Sequence, residues 1–210
     1  MRSRANAKRR SRPNDGTPVT LSIRRARQTD APSLAAVELM TAPEFATFLL
    51  DDLFEDRSVG AVLSSIYARE GTDSWQWSWV AEDDDIVGAA GGCPVSLVQP
   101  ATDTGEAARR LAYFDPIKAA MPTDAFHISR IGVLAPYRRK GAAQALLQAM
   151  EEAAGEHGEK RVTLFVWEDN TGARAFYERA GFTEADRVTL PPHPRALRHG
   201  TTILLEKPLC

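Results

Sequence analysis

The sequence predicts one α/β domain, with helices laid against a sheet. Three stretches carry that prediction. Residues 126–133 are apolar-rich and strand-like, and Pro136 stops the strand because it has no N–H for a ladder. A helix follows Gly141 at once, with Ala143, Leu146, Leu147, Met150 and Ala154 at helical spacing. Residues 75–81 and 86–93 read as two strands joined by the acidic turn Glu82-Asp83-Asp84-Asp85. Residues 161–167 read as a further strand, followed by a helix that Asp169 or Asn170 caps and Gly181 closes.

The other elements follow in chain order. Residues 20–26 alternate like a half-buried strand. Asp30 and Pro32 suit a helix start, with Leu34, Val37, Leu39 and Met40 on its apolar side. Pro43 opens a second helix with Phe45, Phe48, Leu49 and Leu53 inward, and residues 59–67 read as a third, before Gly71. Trp75, Trp77 and Trp79 fall on one face of the first hairpin strand, as core or as a cleft wall. Residues 94–125 form an insert with helical segments over 104–120, broken at Pro116, either folded over a cleft or lying on the surface. The inward side of the 170s helix includes Ala173, Phe176, Tyr177 and Ala180. Residues 188–190 and 202–205 are the last strands, joined by a proline-rich loop that carries His193 and His199.

At 210 residues, 43% hydrophobic and 26% charged, the chain suits one well-buried core, assigned here to residues 19–210. Residues 1–18 are a basic tail with Arg2, Arg4, Lys8, Arg9, Arg10 and Arg12 and no acid before Asp15. No apolar segment follows it, so it is not a secretory signal. A solvated, disordered tail is preferred over a tether to an anionic surface or a nucleic-acid arm. The net charge of −2 gives no reason to expect nucleic acid or membrane as a partner, and no apolar run is long enough for a membrane-spanning helix. Cys93 lies in an apolar segment and Cys210 is the last residue, so no structural disulfide is expected and a cytoplasmic setting fits. No His or Cys cluster has metal-ligand spacing, so no metal is expected.

The chemistry concentrates after residue 133. A helix N-terminus presents unpaired N–H groups and partial positive charge, and Arg138, Arg139 and Lys140 stand beside this one. Such an end suits a phosphate or pyrophosphate. It is not a Walker A loop, because Lys140 precedes Gly141 and Ala142 follows, and it lacks the three glycines of a dinucleotide fingerprint.

The spacing Arg138-x-x-Gly141-x-Ala143, just after Val133-x-x-Pro136, resembles the acyl-CoA pyrophosphate loop of the GNAT superfamily of N-acetyltransferases. Asn170-x-x-Ala173-x-x-Phe176-Tyr177-x-x-x-Gly181-Phe182 is similar to that family's second diagnostic segment. The resemblance covers residues 20–207, strongly over 126–182 and weakly before 70. It implies a mixed, mostly antiparallel sheet whose two central strands splay into a wedge for acetyl-CoA. The pantetheine would pair with the strand Ile131-Gly132-Val133. The pyrophosphate would sit on Arg139, Lys140, Gly141, Ala142 and Ala143, with Arg138 screening charge or capping the loop. Asn170 and Ala173 would help to hold the cofactor, and Tyr177 would give a proton to the departing thiolate.

The resemblance also implies direct acetyl transfer to a primary amine of a small molecule or peptide, and it is compatible with a homodimer. The general base stays open among three readings. His127 occupies a position where some members carry a catalytic glutamate, and a near-neutral pKa would suit it. Glu82 is a second candidate, and ordered water is the third. The residues 164–166, where other members place an acid, are Leu, Phe and Val. Ser129, on His127's face by strand alternation, is the neighbour expected to line the cleft rather than Arg130. The alternative function is an acyl-CoA-binding sensor without turnover.

Overall fold

A computed structural model describes residues 21–98 and 105–209; the basic tail 1–18, residues 99–104 of the insert and Cys210 lie outside the described residues. One seven-stranded sheet runs in the order β1-β2-β3-β4-β5-β7-β6. The strands are β1 (Ser22–Arg25), β2 (Ser78–Asp83), β3 (Asp85–Pro94), β4 (Ala125–Val133), β5 (Arg161–Trp167), β6 (Thr183–Leu190) and β7 (Gly200–Pro208). Every pair is antiparallel except β4 with β5, which is the mixed sheet expected.

Helices cover both faces. α6 (Ala142–Glu156) buries Leu146, Leu147, Met150, Ala153 and Ala154 against Phe126, Ile128, Val162 and Leu164. α7 (Thr171–Arg179) packs Ala173, Phe176 and Tyr177 against the same core. On the opposite face, α1 (Ala31–Thr41) and α3 (Val59–Tyr67) bury Leu34, Val37, Leu63 and Tyr67 against Val80 and Ala89. α2 (Pro43–Leu50), the residues Tyr113 and Phe114 between the insert helices α4 (Glu106–Ala112) and α5 (Asp115–Ala120), and Ile117 of α5 share a third cluster with Trp167 and Leu190.

Several local expectations are corrected. Trp75–Trp77 is a turn of 3-10 helix and β2 starts at Ser78, so the three tryptophans share no strand face. Only Trp79 is fully buried of the three; Trp77 packs partly buried against the α6-side core and Trp75 against the α1-side core. Pro116 does not break a helix but stands in the first turn of α5, where its missing N–H costs nothing. In α2 Phe48 is 3% exposed but Phe45 is 50% exposed, and Leu53 falls beyond the helix. Asp30 does not cap its own helix: its carboxylate takes the Arg27 N–H at 2.7 Å and Arg24 at 2.6 Å. β6 extends back to Thr183 through exposed polar residues, held by pairing with β7 rather than by apolar alternation.

The feature that positions the site is a bulge in β4. Gly91 pairs with Arg130 and Gly92 with Ile128, so Ser129 is the extra residue. A bulge bends its strand and raises the local twist. It falls where β4 leaves β5, whose last pair is Ile128 with Leu164. The bulge also resets the alternation of side chains. Before it, His127 lies on the α1 face; beyond it, Arg130 and Gly132 lie there, and Val133 joins the α6 core. Arg130, not Ser129 alone, therefore shares the face of His127, contrary to simple alternation. Gly92 permits the bend, because a Cβ there would lie 2.5 Å from the His127 carbonyl oxygen and 2.9 Å from the Ile128 Cα.

Candidate active site

The splay leaves a backbone edge unused. The Leu134 N–H bonds the Val87 carbonyl at 2.9 Å, which turns Leu134 toward β3. By strand alternation, Ile131 and Val133 present their N–H and C=O groups on the other side, where pairing with β5 has ended. One of these groups is taken: Arg138 donates its Nε–H to the Val133 carbonyl at 3.0 Å. Arg138 thus ties the loop to the strand end. Gly132 is placed differently from the expectation. Its backbone groups turn to β3, and a Cβ there would run into the Thr41 hydroxyl, so its smallness serves the approach of α1.

Beyond the strand, residues 135–137 make a 3-10 turn, Arg139 stands at φ 61° and Gly141 at φ 87°. The glycine at 141 suits the left-handed backbone, and no protein atom lies within 4 Å of where a Cβ would stand. The first backbone bond of α6 runs from the Ala145 N–H to the Gly141 carbonyl at 3.0 Å. The N–H groups of Ala142, Ala143 and Gln144 consequently point out of the helix end without an intrahelical acceptor. Arg139 and Lys140 are exposed beside them, while Ala142 is buried beneath. This end can hold an anion through backbone donors and the helix dipole.

Across the wedge, Asn170 caps α7, its Oδ1 accepting the Ala173 N–H at 3.2 Å. Tyr177 packs edge-on against Phe176 and Phe182 at ring separations of 5.1 and 5.7 Å. Its hydroxyl has no hydrogen-bond partner among the described residues, and burial pushes its pKa up to about 12.

His127 sits at the throat of the wedge, its Nδ1 3.1 Å from the Thr163 hydroxyl and its ring beside Phe165. Burial pulls its pKa down to about 4, away from the near-neutral value that suits a general base. The imidazole is therefore neutral at physiological pH and a weak proton acceptor. A folded-state value below the unfolded one makes the folded form bind fewer protons, so the stability tied to His127 is present above pH 6.5 and lost as pH falls toward 4. Between pH 7 and 4.5 this amounts to about 2 kcal/mol. The unfolding free energy of the wild-type chain from denaturant titration should fall by that much, and His127→Gln should flatten this part of the profile.

Glu82 is engaged elsewhere. It lies on β2 beside β1, where Arg24 grips its carboxylate at 2.9 and 2.5 Å. Those hydrogen bonds hold its pKa below the usual carboxylate value.

Sequence reasoning missed a buried polar network on the α1 face. Glu38 of α1 accepts a hydrogen bond from the Tyr67 hydroxyl and lies 3.9 Å from Arg130 Nε. Arg130 stacks over Tyr67 at 4.4 Å and donates to the Ser78 hydroxyl at 2.7 Å. A cavity of about 60 Å³ beside it is lined by Glu38, Thr41, Ser129, Arg130 and Ile131 among others. A charged residue within an otherwise apolar helical pattern was the signal available.

The insert is bolted down over the same face. Arg110, 4% exposed, donates to the Leu49 and Asp51 carbonyls at 3.1 and 2.5 Å, capping the C-terminal end of α2. The Tyr113 hydroxyl bonds the Pro191 carbonyl at 2.7 Å, and His193 packs on Phe48 and Tyr113. His199 lines a separate open cleft of about 250 Å³ with Trp167, Glu168, Asp169 and Thr201.

A family model described as the acetyltransferase (GNAT) family matches residues 42–182. The uncharacterised N-acetyltransferase YycN of Bacillus subtilis (strain 168) is 39% identical over 67 residues, 32% of this chain and 43% of that protein. The match thus spans less than half the length of this curated relative. Among solved structures, an N-acetyltransferase from Staphylococcus aureus Mu50 superposes with a TM-score of 0.63 at 19% identity, over 89% of this chain and 100% of the other. Arabidopsis thaliana Naa50, in complex with the bisubstrate analogue CoA-Ac-MVNAL, gives 0.53 at 20% identity, over 90% and 99%. At these identities the likeness concerns the fold.

Proposed function

Because the chain belongs to the acetyltransferase (GNAT) family, we propose that it is an acetyl-CoA-dependent N-acetyltransferase, moving the acetyl group directly to a primary amine of a small molecule or peptide. The observation that carries this reading is the unpaired edge of β4 running into the left-handed turn at Gly141 and the open N-terminus of α6. Ile131 and the Val133 N–H pair with the pantetheine amides, as an added strand would. Arg139 to Ala143 hold the pyrophosphate through backbone N–H groups, with Gln144 extending the set. Asn170 and Ala173 frame the opposite wall.

The thioester is already activated, so the protein positions the amine, removes one proton from it and supplies one to the leaving sulfur. Tyr177 is the donor to the sulfur: its hydroxyl is neutral below about pH 12 and has no competing partner among the described residues. A peptide N-terminus belongs among the acceptors to be tried, since Naa50 binds a CoA–peptide analogue. A cytoplasmic setting fits a buried, free Cys93.

The test is melting temperature with and without acetyl-CoA, then release of free CoA against a panel of amines and short peptides. Acetyl-CoA at 100 times its Kd should add about 2.7 kcal/mol of stability, with turnover on at least one amine. Stabilisation without turnover on any would favour the sensor, and no stabilisation would remove the donor assignment.

A further inference from the structure

We infer that the reacting amine is received in the cavity between α1 and β4, and that Glu38 is the residue that takes its proton. The inference rests on the acetyl-transfer reading above and adds the acceptor side to it.

Four observations converge. The cavity lies directly behind the bulge, with Ser129, Ile131 and Gly132 among its walls, so it opens on the strand segment assigned to the donor. Glu38 stands on its α1 wall with a side chain only 12% exposed. Its Oε2 accepts from Tyr67, but its Oε1 makes no hydrogen bond among the described residues. At 3.9 Å the Arg130 Nε is too far for a hydrogen bond.

Arg130 is not able to close that gap cheaply. Its guanidinium is held by the Ser78 hydroxyl at 2.7 Å, the Ser129 hydroxyl at 3.3 Å and the Tyr67 ring. It lies in space that Gly91 leaves clear, because a Cβ there would run into the guanidinium. The result is a buried, half-partnered carboxylate facing a small cavity. Such a group is costly unless a further partner completes it, and an ammonium group supplies both charge and donors. The cavity holds only a few water-sized groups, so it fits the amino group and its first carbon and leaves the rest of the acceptor outside.

The charged and titratable groups facing Glu38 are Arg130 from β4, Tyr67 from α3 and Asp73 from the turn after α3. Burial is the largest influence and raises its pKa; Asp73 raises it further and Arg130 lowers it. A raised value makes the carboxylate a better proton acceptor. In the reaction an N–H bond of the ammonium breaks and the proton goes to Glu38 Oε1. The freed lone pair forms the C–N bond to the thioester carbonyl carbon, the C–S bond breaks with its electron pair on sulfur, which takes the Tyr177 proton, and the nitrogen gives up its second N–H proton to solvent, leaving the neutral amide. Solvent restores both residues.

Methylamine is the probe, as it fits the cavity whatever the natural acceptor is. CoA release at saturating acetyl-CoA is measured from pH 6 to 10, with acetyl-CoA affinity by calorimetry, for wild type, Glu38→Gln and Ala42→Leu. Gln keeps an acceptor for Tyr67. Glu38→Gln should keep acetyl-CoA affinity within twofold, lower kcat/KM for methylamine at least 100-fold and erase the acidic limb of its pH profile. Ala42 lines the cavity from an exposed position, so a leucine there should raise the KM for methylamine at least tenfold without touching Glu38. That variant decides the matter if Glu38→Gln fails to fold. A Glu38→Gln enzyme with unchanged rate and acidic limb, or an unchanged KM in Ala42→Leu, would overturn the inference. So would a wild-type protein that binds acetyl-CoA but releases no CoA to methylamine. A wild-type protein that fails to bind acetyl-CoA would instead remove the donor assignment on which the inference depends.

Discussion

Gly141→Glu should weaken acetyl-CoA binding by more than 100-fold, and Gly141→Ala by much less. Residue 141 stands at φ 87°, where an L side chain costs about 1–2 kcal/mol. Alanine meets only that strain, since a Cβ there would have nothing within 4 Å. Glutamate adds negative charge at the positive end of α6, against the anion that the N–H groups of Ala142 and Ala143 are placed to hold. In the free protein the same carboxylate near a helix N-terminus is mildly favourable, so melting should fall no further in the glutamate variant than in the alanine one. Calorimetric titration separates the effects: a loss confined to binding in the glutamate variant supports the phosphate loop. Equal affinities for glutamate and alanine would show that no anion sits there.

Tyr177→Phe should lower kcat by about 100-fold, in the range that a positioned proton donor contributes, and leave the Kd for acetyl-CoA nearly unchanged. The structure makes this variant unusually clean. The Tyr177 hydroxyl has no partner among the described residues, so its removal breaks no hydrogen bond within them, and the ring contacts with Phe176 and Phe182 are kept. Stability should therefore change by less than about 1 kcal/mol. With its pKa raised to about 12, the wild-type tyrosine stays protonated through pH 10, so an alkaline limb below that pH must come from another group. A fall in affinity that matched the fall in turnover would instead make Tyr177 a packing residue of the wedge.

These tests bear on parts of the molecule that differ in how they are encoded. The sequence by itself determined the features that are local in the chain. The apolar stripe Leu146, Leu147, Met150 and Ala154 repeats every turn of one helix and has one way to be buried. Gly141 supplies the left-handed residue at the helix start, and Asn170 caps the next helix through its own third neighbour. Each is settled within a few residues, and two such signals in the right order sufficed to place the wedge and to suggest the family.

Tertiary structure alone decided the rest, because the deciding partners are far apart in sequence. The bulge at Ser129 comes from fitting β4 between β3 and β5, and it reverses which residues face α1; alternation read along one strand cannot register a partner's missing residue. His127 loses its ordinary basicity to surroundings supplied by other elements, including Thr163 and Phe165. Glu38, Tyr67 and Arg130 come from three elements and meet only when α1 and α3 close over β4. The proposed donor side was thus legible as backbone pattern, which local residue choice encodes. The proposed acceptor side is made of side chains from distant elements, and their charge and protonation depend on packing that no local stretch records.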